Sequence, residues 1–156
     1  MTRAVNCACS RARRQWRDDG TCARCSGTVA ESSIMDAVKA VLVADPKCLL
    51  WRNEIGHNTH FPDGTPRKGP IKYGVCNPGG ADLIGLYDGR WLSIETKTLI
   101  GTIRPEQQQF GSWVARRNGI YAVCRSTADA SQLLAWLQSG GPRPEFVFAV
   151  AQESTQ

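Results

Sequence analysis

ADLIGLYDGRWLSIETK, residues 81–97, holds two apolar runs on either side of Asp88-Gly89, a dipeptide that favours the two-residue turn of a β-hairpin. The strands predicted are Ala81–Tyr87 and Trp91–Thr98. A two-residue loop pairs Tyr87 with Arg90, and counting outward sets Leu86 against Trp91, Ile84 against Ser93 and Asp82 against Glu95. Side chains directly opposed in this way have Cβ atoms about 4.5–5.5 Å apart, so the two carboxylates repel unless a cation or a proton lies between them. Because side chains alternate along a strand, Lys97 is expected on the face of Glu95, while Thr96 points away and leaves its backbone carbonyl as a further oxygen ligand. Two carboxylates, a carbonyl and water suit Mg²⁺ or Mn²⁺. Charged residues near the open end of a hairpin are commonly solvated and idle. Here both strands are otherwise apolar, which puts Asp82 and Glu95 where core residues belong, and buried charges need a reason. Gly79-Gly80 just upstream would let the backbone approach a metal or phosphate closely.

Upstream, Ile34, Met35, Val38, Val41 and Leu42 recur at helical spacing from Glu31 until Asp45-Pro46 ends the segment. Glu31 shares the stripe of Met35, Val38 and Leu42, an unusual place for a carboxylate, although a first-turn acid is also favoured by the helix dipole. Cys48–Ile55 reads as a strand that starts buried and ends in polar side chains, Arg52 and Asn53 among them. Gly56–Gly80 reads as a long Gly/Pro-rich loop carrying Arg67, Lys68 and Lys72, with His57 and His60 as ordinary loop histidines. Downstream, Pro105 opens a second helix with a stripe of Phe110, Trp113 and Val114, and Asn118-Gly119 stops it. Gln107 shares a face with Phe110 and Val114, so its amide is expected toward the sheet, with Gln108 and Gln109 toward solvent. Ile120–Cys124 is a strand, Ser126 with Asp129 caps a third helix through Leu133, Leu134 and Leu137, and Phe146–Val150 adds a last strand. This order of helix, three strands, helix, strand, helix and strand implies an α/β fold whose mixed sheet is flanked by helices.

The 156 residues suffice for one domain, expected over residues 29–156, plus a small Cys/Arg-rich unit over residues 1–28. In that unit Cys7, Cys9, Cys22 and Cys25 form a C-x-C and a C-x-x-C pair able to close a tetrahedral structural Zn²⁺ site, and a basic tail with free thiols is the alternative. With zinc bound, Arg11, Arg13 and Arg14 would be displayed toward phosphates. The formal charge of +5 favours polyanionic partners such as nucleic acid. No apolar run is long enough to span a bilayer and the start has no apolar core of a signal peptide, so no membrane partner and a cytoplasmic location are expected. The seven cysteines are then reduced thiols or metal ligands, with Cys48, Cys76 and Cys124 read as packing residues, Cys48 and Cys124 of them in apolar strands.

GGAD followed by IETK resembles the D…(D/E)xK signature of the PD-(D/E)xK nucleases, and more closely their VRR-NUC branch. In that branch a glutamate stands on the first helix, an R-N pair on the next strand, and P-E-Q-x-x-F on the helix after E-x-K. The matching positions here are Glu31, Arg52-Asn53, and Pro105-Glu106-Gln107 with Phe110, so the resemblance runs from about Glu31 to Ser126. It departs at Ala81, where many relatives have proline. It implies a restriction-endonuclease-like α-β-β-β-α-β core and metal-dependent DNA hydrolysis leaving 5′-phosphate and 3′-hydroxyl ends. Asp82, Glu95, Lys97, Gln107 and Glu31 would form the active site. Arg52 would either contact a phosphate or pair with an acid as a structural arginine. Asn53 and the basic residues Arg67, Lys68 and Lys72 of the long segment are the further candidates for contact with nucleic acid. Relatives of this size further imply branched DNA, such as junctions or flaps, in phage or bacterial repair, and a homodimer. Two rivals stand beside this reading: a non-catalytic zinc-ribbon module that binds nucleic acid, and a thiol redox protein built on C-x-x-C. The second suffers because that motif lies outside the α/β core.

Overall fold

In the computed structural model, residues 30–76 and 78–149 are described. Cys7, Cys9, Cys22 and Cys25, with Arg11, Arg13 and Arg14, lie outside the described residues, as does the expected 1–28 unit. The amphipathic segment predicted at Glu31 forms helix α1, Glu31–Leu42, and buries Met35, Val38 and Leu42. Strand β1, Cys48–Arg52, follows. It runs antiparallel to β4, Leu83–Tyr87, which runs antiparallel to β5, Arg90–Thr96. The hairpin register is the predicted one, with Tyr87 against Arg90, Leu86 against Trp91 and Ile84 against Ser93. Asp88 at φ 48° and Gly89 at φ 81° both occupy the left-handed region that a type I′ turn demands. Beyond the hairpin, α2 (Pro105–Ala115) crosses over to β6 (Ile120–Cys124), which lies parallel to β5. Helix α3 (Thr127–Ser139) and β7 (Val147–Ala149), antiparallel to β6, complete the chain.

The result is a mixed five-stranded sheet in the order β1-β4-β5-β6-β7 with helices on both faces. Alternation along the strands sends Leu50, Leu83, Leu92, Ile94, Ile120 and Ala122 to one face, against Met35, Val38 and Leu42 of α1 and Leu133 of α3. Tyr121 and Val123 face the other way, onto Phe110 and Val114 of α2. Gly111 permits that contact, because a Cβ there would lie 2.6 Å from the Tyr121 ring. The ring is held edge-on by Phe110 at 5.9 Å and by Phe148 at 5.7 Å. The predicted cap of α3 also forms: the Ser126 side chain accepts from the Asp129 backbone N–H, and Gly140 ends the helix at φ 68°. No helix among the described residues is long and apolar enough to cross a membrane.

The segment read as a long loop is structured instead. β2 (Gly56–His60) and β3 (Pro66–Tyr73) form a separate two-stranded antiparallel sheet. Its tip is closed by bonds from Phe61 N–H to the Thr65 carbonyl (2.8 Å) and from Gly64 N–H to the Phe61 carbonyl (2.9 Å). The Asp63 carboxylate accepts from the Thr65 N–H at 2.9 Å and from its hydroxyl at 2.7 Å. Gly69 and Pro70 break the alternation that marks a strand, yet a ribbon with open edges tolerates them because not every N–H is needed for pairing. The first core strand is correspondingly shorter than predicted and ends at Arg52 rather than Ile55.

Candidate active site

Asp82 and Glu95 lie where the register of β4 and β5 continues past its last assigned pair, Leu83 with Ile94. The ladder between β1 and β4 also extends to this point, because the Asn53 N–H donates to the Asp82 carbonyl at 2.7 Å. The Asp82 Oδ2 atom accepts two hydrogen bonds from one residue, the Thr96 N–H at 2.8 Å and the Thr96 hydroxyl at 2.7 Å. Thr96 therefore does not turn idly away, as strict alternation predicts. Its hydroxyl, held near its own N–H by the short branched side chain, clasps Asp82 where the strand ends. Its backbone carbonyl, expected to be free, accepts the Lys97 ammonium at 3.2 Å.

Glu95 is 1% exposed. One carboxylate oxygen, Oε1, accepts from Lys97 Nζ at 2.5 Å and from the Gln107 side-chain amide. The other, Oε2, is buried and has no partner among the described residues. Burial, reinforced by the negative charge of Asp82, pushes the Glu95 carboxyl up to about 7 despite the opposing pull of Lys97. Burial works against the Lys97 ammonium, but its hydrogen bond to Glu95 and the charges of Glu95 and Glu31 outweigh that cost and hold its pKa above the usual lysine value. Glu31 reaches Lys97 Nζ at 3.2 Å from the start of α1, with its side chain half exposed at the edge of the site. Gln107 is nearly fully buried, and its Oε1 accepts from the Arg104 N–H at 2.9 Å. One side chain thus satisfies the open end of α2 and fixes Glu95.

Asp82, Glu95, Lys97, Gln107, Glu31 and Arg52 all line one open cleft of about 600 Å³. Arg52 is exposed there, and its guanidinium has no partner among the described residues. Arg104, which the sequence reading passes over, lines the same cleft. Its only sequence signal is its place immediately before Pro105, at the N-cap of a helix that also carries Gln107.

Three groups of candidates have surroundings that the sequence does not foretell. Asn53 lies at the cleft, but its amide donates to the Val75 carbonyl at 3.1 Å and the Ala81 carbonyl at 2.9 Å, and its oxygen accepts from the Val75 N–H at 2.9 Å. With both donors spent it braces the segment before β4 and has none left for a nucleic acid. Gly79 and Gly80 line the cleft beside Asp82 and also serve close packing within the protein: a Cβ on Gly80 would lie 1.9 Å from the Val75 carbonyl, and one on Gly79 2.6 Å from that of Glu106. Arg67, Lys68 and Lys72 lie on β3, outside the lining of the cleft. Arg67 bonds the His60 carbonyl at 3.0 Å and lies over the Phe61 ring at 4.0 Å, so it stiffens the hairpin tip. Cys48 and Cys124 are buried, and burial pushes their thiols up to about 11 and about 12, as packing residues require, whereas Cys76, expected to pack as well, is exposed in the turn before Gly79.

Among the described residues no group of three or more His, Cys, Asp or Glu forms a ready metal cage. The oxygens that remain are Glu95 Oε2 and Asp82 Oδ1, one on each strand of the hairpin, neither hydrogen-bonded among the described residues. Two carboxylate oxygens without hydrogen-bond partners at the wall of an open cleft fit a hard divalent cation that keeps several waters, and fit a thiolate-seeking metal poorly. No protein-family profile matches this chain, and no curated protein sequence matches it.

Proposed function

We propose that the chain is a Mg²⁺- or Mn²⁺-dependent deoxyribonuclease with a PD-(D/E)xK core of the VRR-NUC kind, cutting phosphodiester bonds in branched or duplex DNA. One observation carries the reading: a nearly inaccessible carboxylate, Glu95, keeps one oxygen without a partner beside Asp82, with an ammonium on its other oxygen. When ionised, a buried oxygen left unpaired costs several kcal/mol, a cost that a bound cation would offset.

Asp82 through Oδ1 and Glu95 through Oε2 would hold the cation. The chemistry it supplies there is Lewis-acid polarisation of a phosphoryl oxygen and acidification of water. Gln107 keeps Glu95 turned by binding Oε1, and Thr96 does the same for Asp82 through Oδ2. Lys97, held protonated by Glu95 and Glu31, offsets the negative charge that grows on the phosphoryl group and, on releasing the Thr96 carbonyl or Glu31, would turn a donor to the attacking water. The water oxygen bonds to phosphorus, the bond from phosphorus to the 3′ oxygen breaks, and the products carry 5′-phosphate and 3′-hydroxyl ends. Arg52 and Arg104 supply positive charge along the cleft for the flanking phosphates.

Incubation with labelled linear, nicked, flapped and four-way DNA in Mg²⁺ or Mn²⁺ tests the proposal. Cleavage is expected with the cation and none with a chelator. Lys97→Ala should lower the rate about 10²–10³-fold, the usual cost of losing one electrostatic stabiliser. Binding of DNA without cleavage under all of these conditions would reject the nuclease reading in favour of a binding module.

A further inference from the structure

We infer that the β2–β3 hairpin is a ribbon that enters the major groove of duplex DNA, with Lys68 and Lys72 set against the phosphates of its walls. The partner class rests on the nucleic-acid reading above, while the placement rests on separate features of the hairpin. The ribbon belongs to its own two-stranded sheet and packs appreciably on no other helix or strand. Both strands lie open to solvent along most of their length, with Phe61 47%, Ile71 51% and Tyr73 48% exposed. An isolated hairpin is marginal in water, so one built to project has a reason to be stiffened. Asp63, Thr65 and the stack of Arg67 on Phe61 do that at the tip.

Charge selects the occupant. Residues 56–73 contain Arg67, Lys68 and Lys72 but one acid, Asp63, which is taken up by Thr65 inside the turn. Lys68 and Lys72 are exposed and meet no acidic partner among the described residues. Lys72 stands in the regular ladder opposite His57, and Lys68 lies in the irregular stretch between the pairs Asn58–Ile71 and His60–Pro66, so the two charges are spread along the ribbon. The B-form major groove, ~12 Å wide, admits a two-stranded β-ribbon whose cations can meet the phosphates at its edges. Tyr73 and Gly56, at the root, line the cleft, so a duplex held by the ribbon runs past the carboxylates. The A-form major groove is too deep and narrow for side chains to read, so the fit is to DNA rather than double-stranded RNA.

Binding of a 24-base-pair fluorescent DNA duplex to the full chain, in chelator so that nothing is cut, is the test, read as anisotropy over a range of NaCl. The Lys68→Ala/Lys72→Ala variant should bind about tenfold or more weakly at moderate salt. Its plot of log affinity against log salt should be shallower by about two, as for two lost phosphate contacts. The wild type should prefer DNA to an RNA duplex of the same sequence. An unchanged affinity and slope, or equal binding of the two duplexes, overturns the inference. Cleavage is scored separately. A wild type that binds through these lysines but never cuts upholds the ribbon and rejects the nuclease, and one that cuts while the variant binds normally does the reverse.

Discussion

Two hairpins in this molecule turn on the same dipeptide, Asp88-Gly89 in β4–β5 and Asp63-Gly64 in β2–β3, and they have opposite fates. The first is the middle of a five-stranded sheet, covered on both faces where α2 reaches, and its end carries Glu95, with almost no access to water, beside the half-buried Asp82. The second stands out from the body with its lysines in solvent. A charge in water needs no partner, whereas a buried one must be matched atom by atom. The central hairpin therefore marks its candidate site by an accounting failure at Glu95 Oε2, whereas the ribbon offers only the sign of its exposed charges.

The comparison breaks most severely if the two hairpins respond alike to truncation. Leu83→Ala, at a fully buried position of β4, should lose about 2–5 kcal/mol in denaturant unfolding. Ile71→Ala, half exposed on β3, should change stability by less than about 0.5 kcal/mol. Equal losses would mean that the ribbon is packed into the core after all.

A smaller effect, with a definite sign, concerns Glu95. Its carboxyl is raised in the folded protein from 4.5 to about 7, so the folded state holds a proton that the unfolded chain has released. The associated stability is fully present below about pH 4.5 and is lost as pH rises through about 7, amounting to ~3 kcal/mol at most. In chelator, the unfolding temperature should fall between pH 5.5 and 8.5 more steeply for the wild type than for Glu95→Gln. Added Mg²⁺ should flatten the wild-type profile, because a bound cation favours the ionised form. Wild type and variant falling in parallel would deny Glu95 its burial. Lys97 gives no signal in this window, since its raised pKa matters only above the ordinary lysine range.

The smallest expected effect belongs to Gln107→Ala. It leaves Glu95 Oε1 with Lys97 alone and frees the Arg104 N–H, for a stability loss of about 1 kcal/mol, while cleavage slows as Glu95 loses its fixed orientation. Loss of stability with an unchanged rate would assign Gln107 to the helix cap only.

These expectations also mark what a sequence can carry. The β4–β5 register is legible because Asp88-Gly89 fixes the turn and a slip of one residue would turn Leu83 and Ile94 out of the core. Asp82, Glu95, Lys97, Gln107 and Glu31 follow from that register and from helical spacing, and the cleft brings them together. The ribbon is hidden because it buries too little to impose alternation, and Gly69-Pro70 looks like loop. The clasp of Thr96 on Asp82 is hidden because alternation predicts directions within a strand and lapses at its end. Asn53 shows a further limit, for its polarity suggests a ligand contact while its hydrogen bonds all close inside the protein.

The central claim is that Asp82 and Glu95 share a divalent cation, and calorimetric titration of Mn²⁺ into the full chain at pH 7.5 addresses it without any assay of cleavage. Saturable binding is expected in the wild type, with the site lost on Glu95→Gln and on Asp82→Asn. Absence of binding to the wild type, or binding that both variants retain in full, would contradict the account.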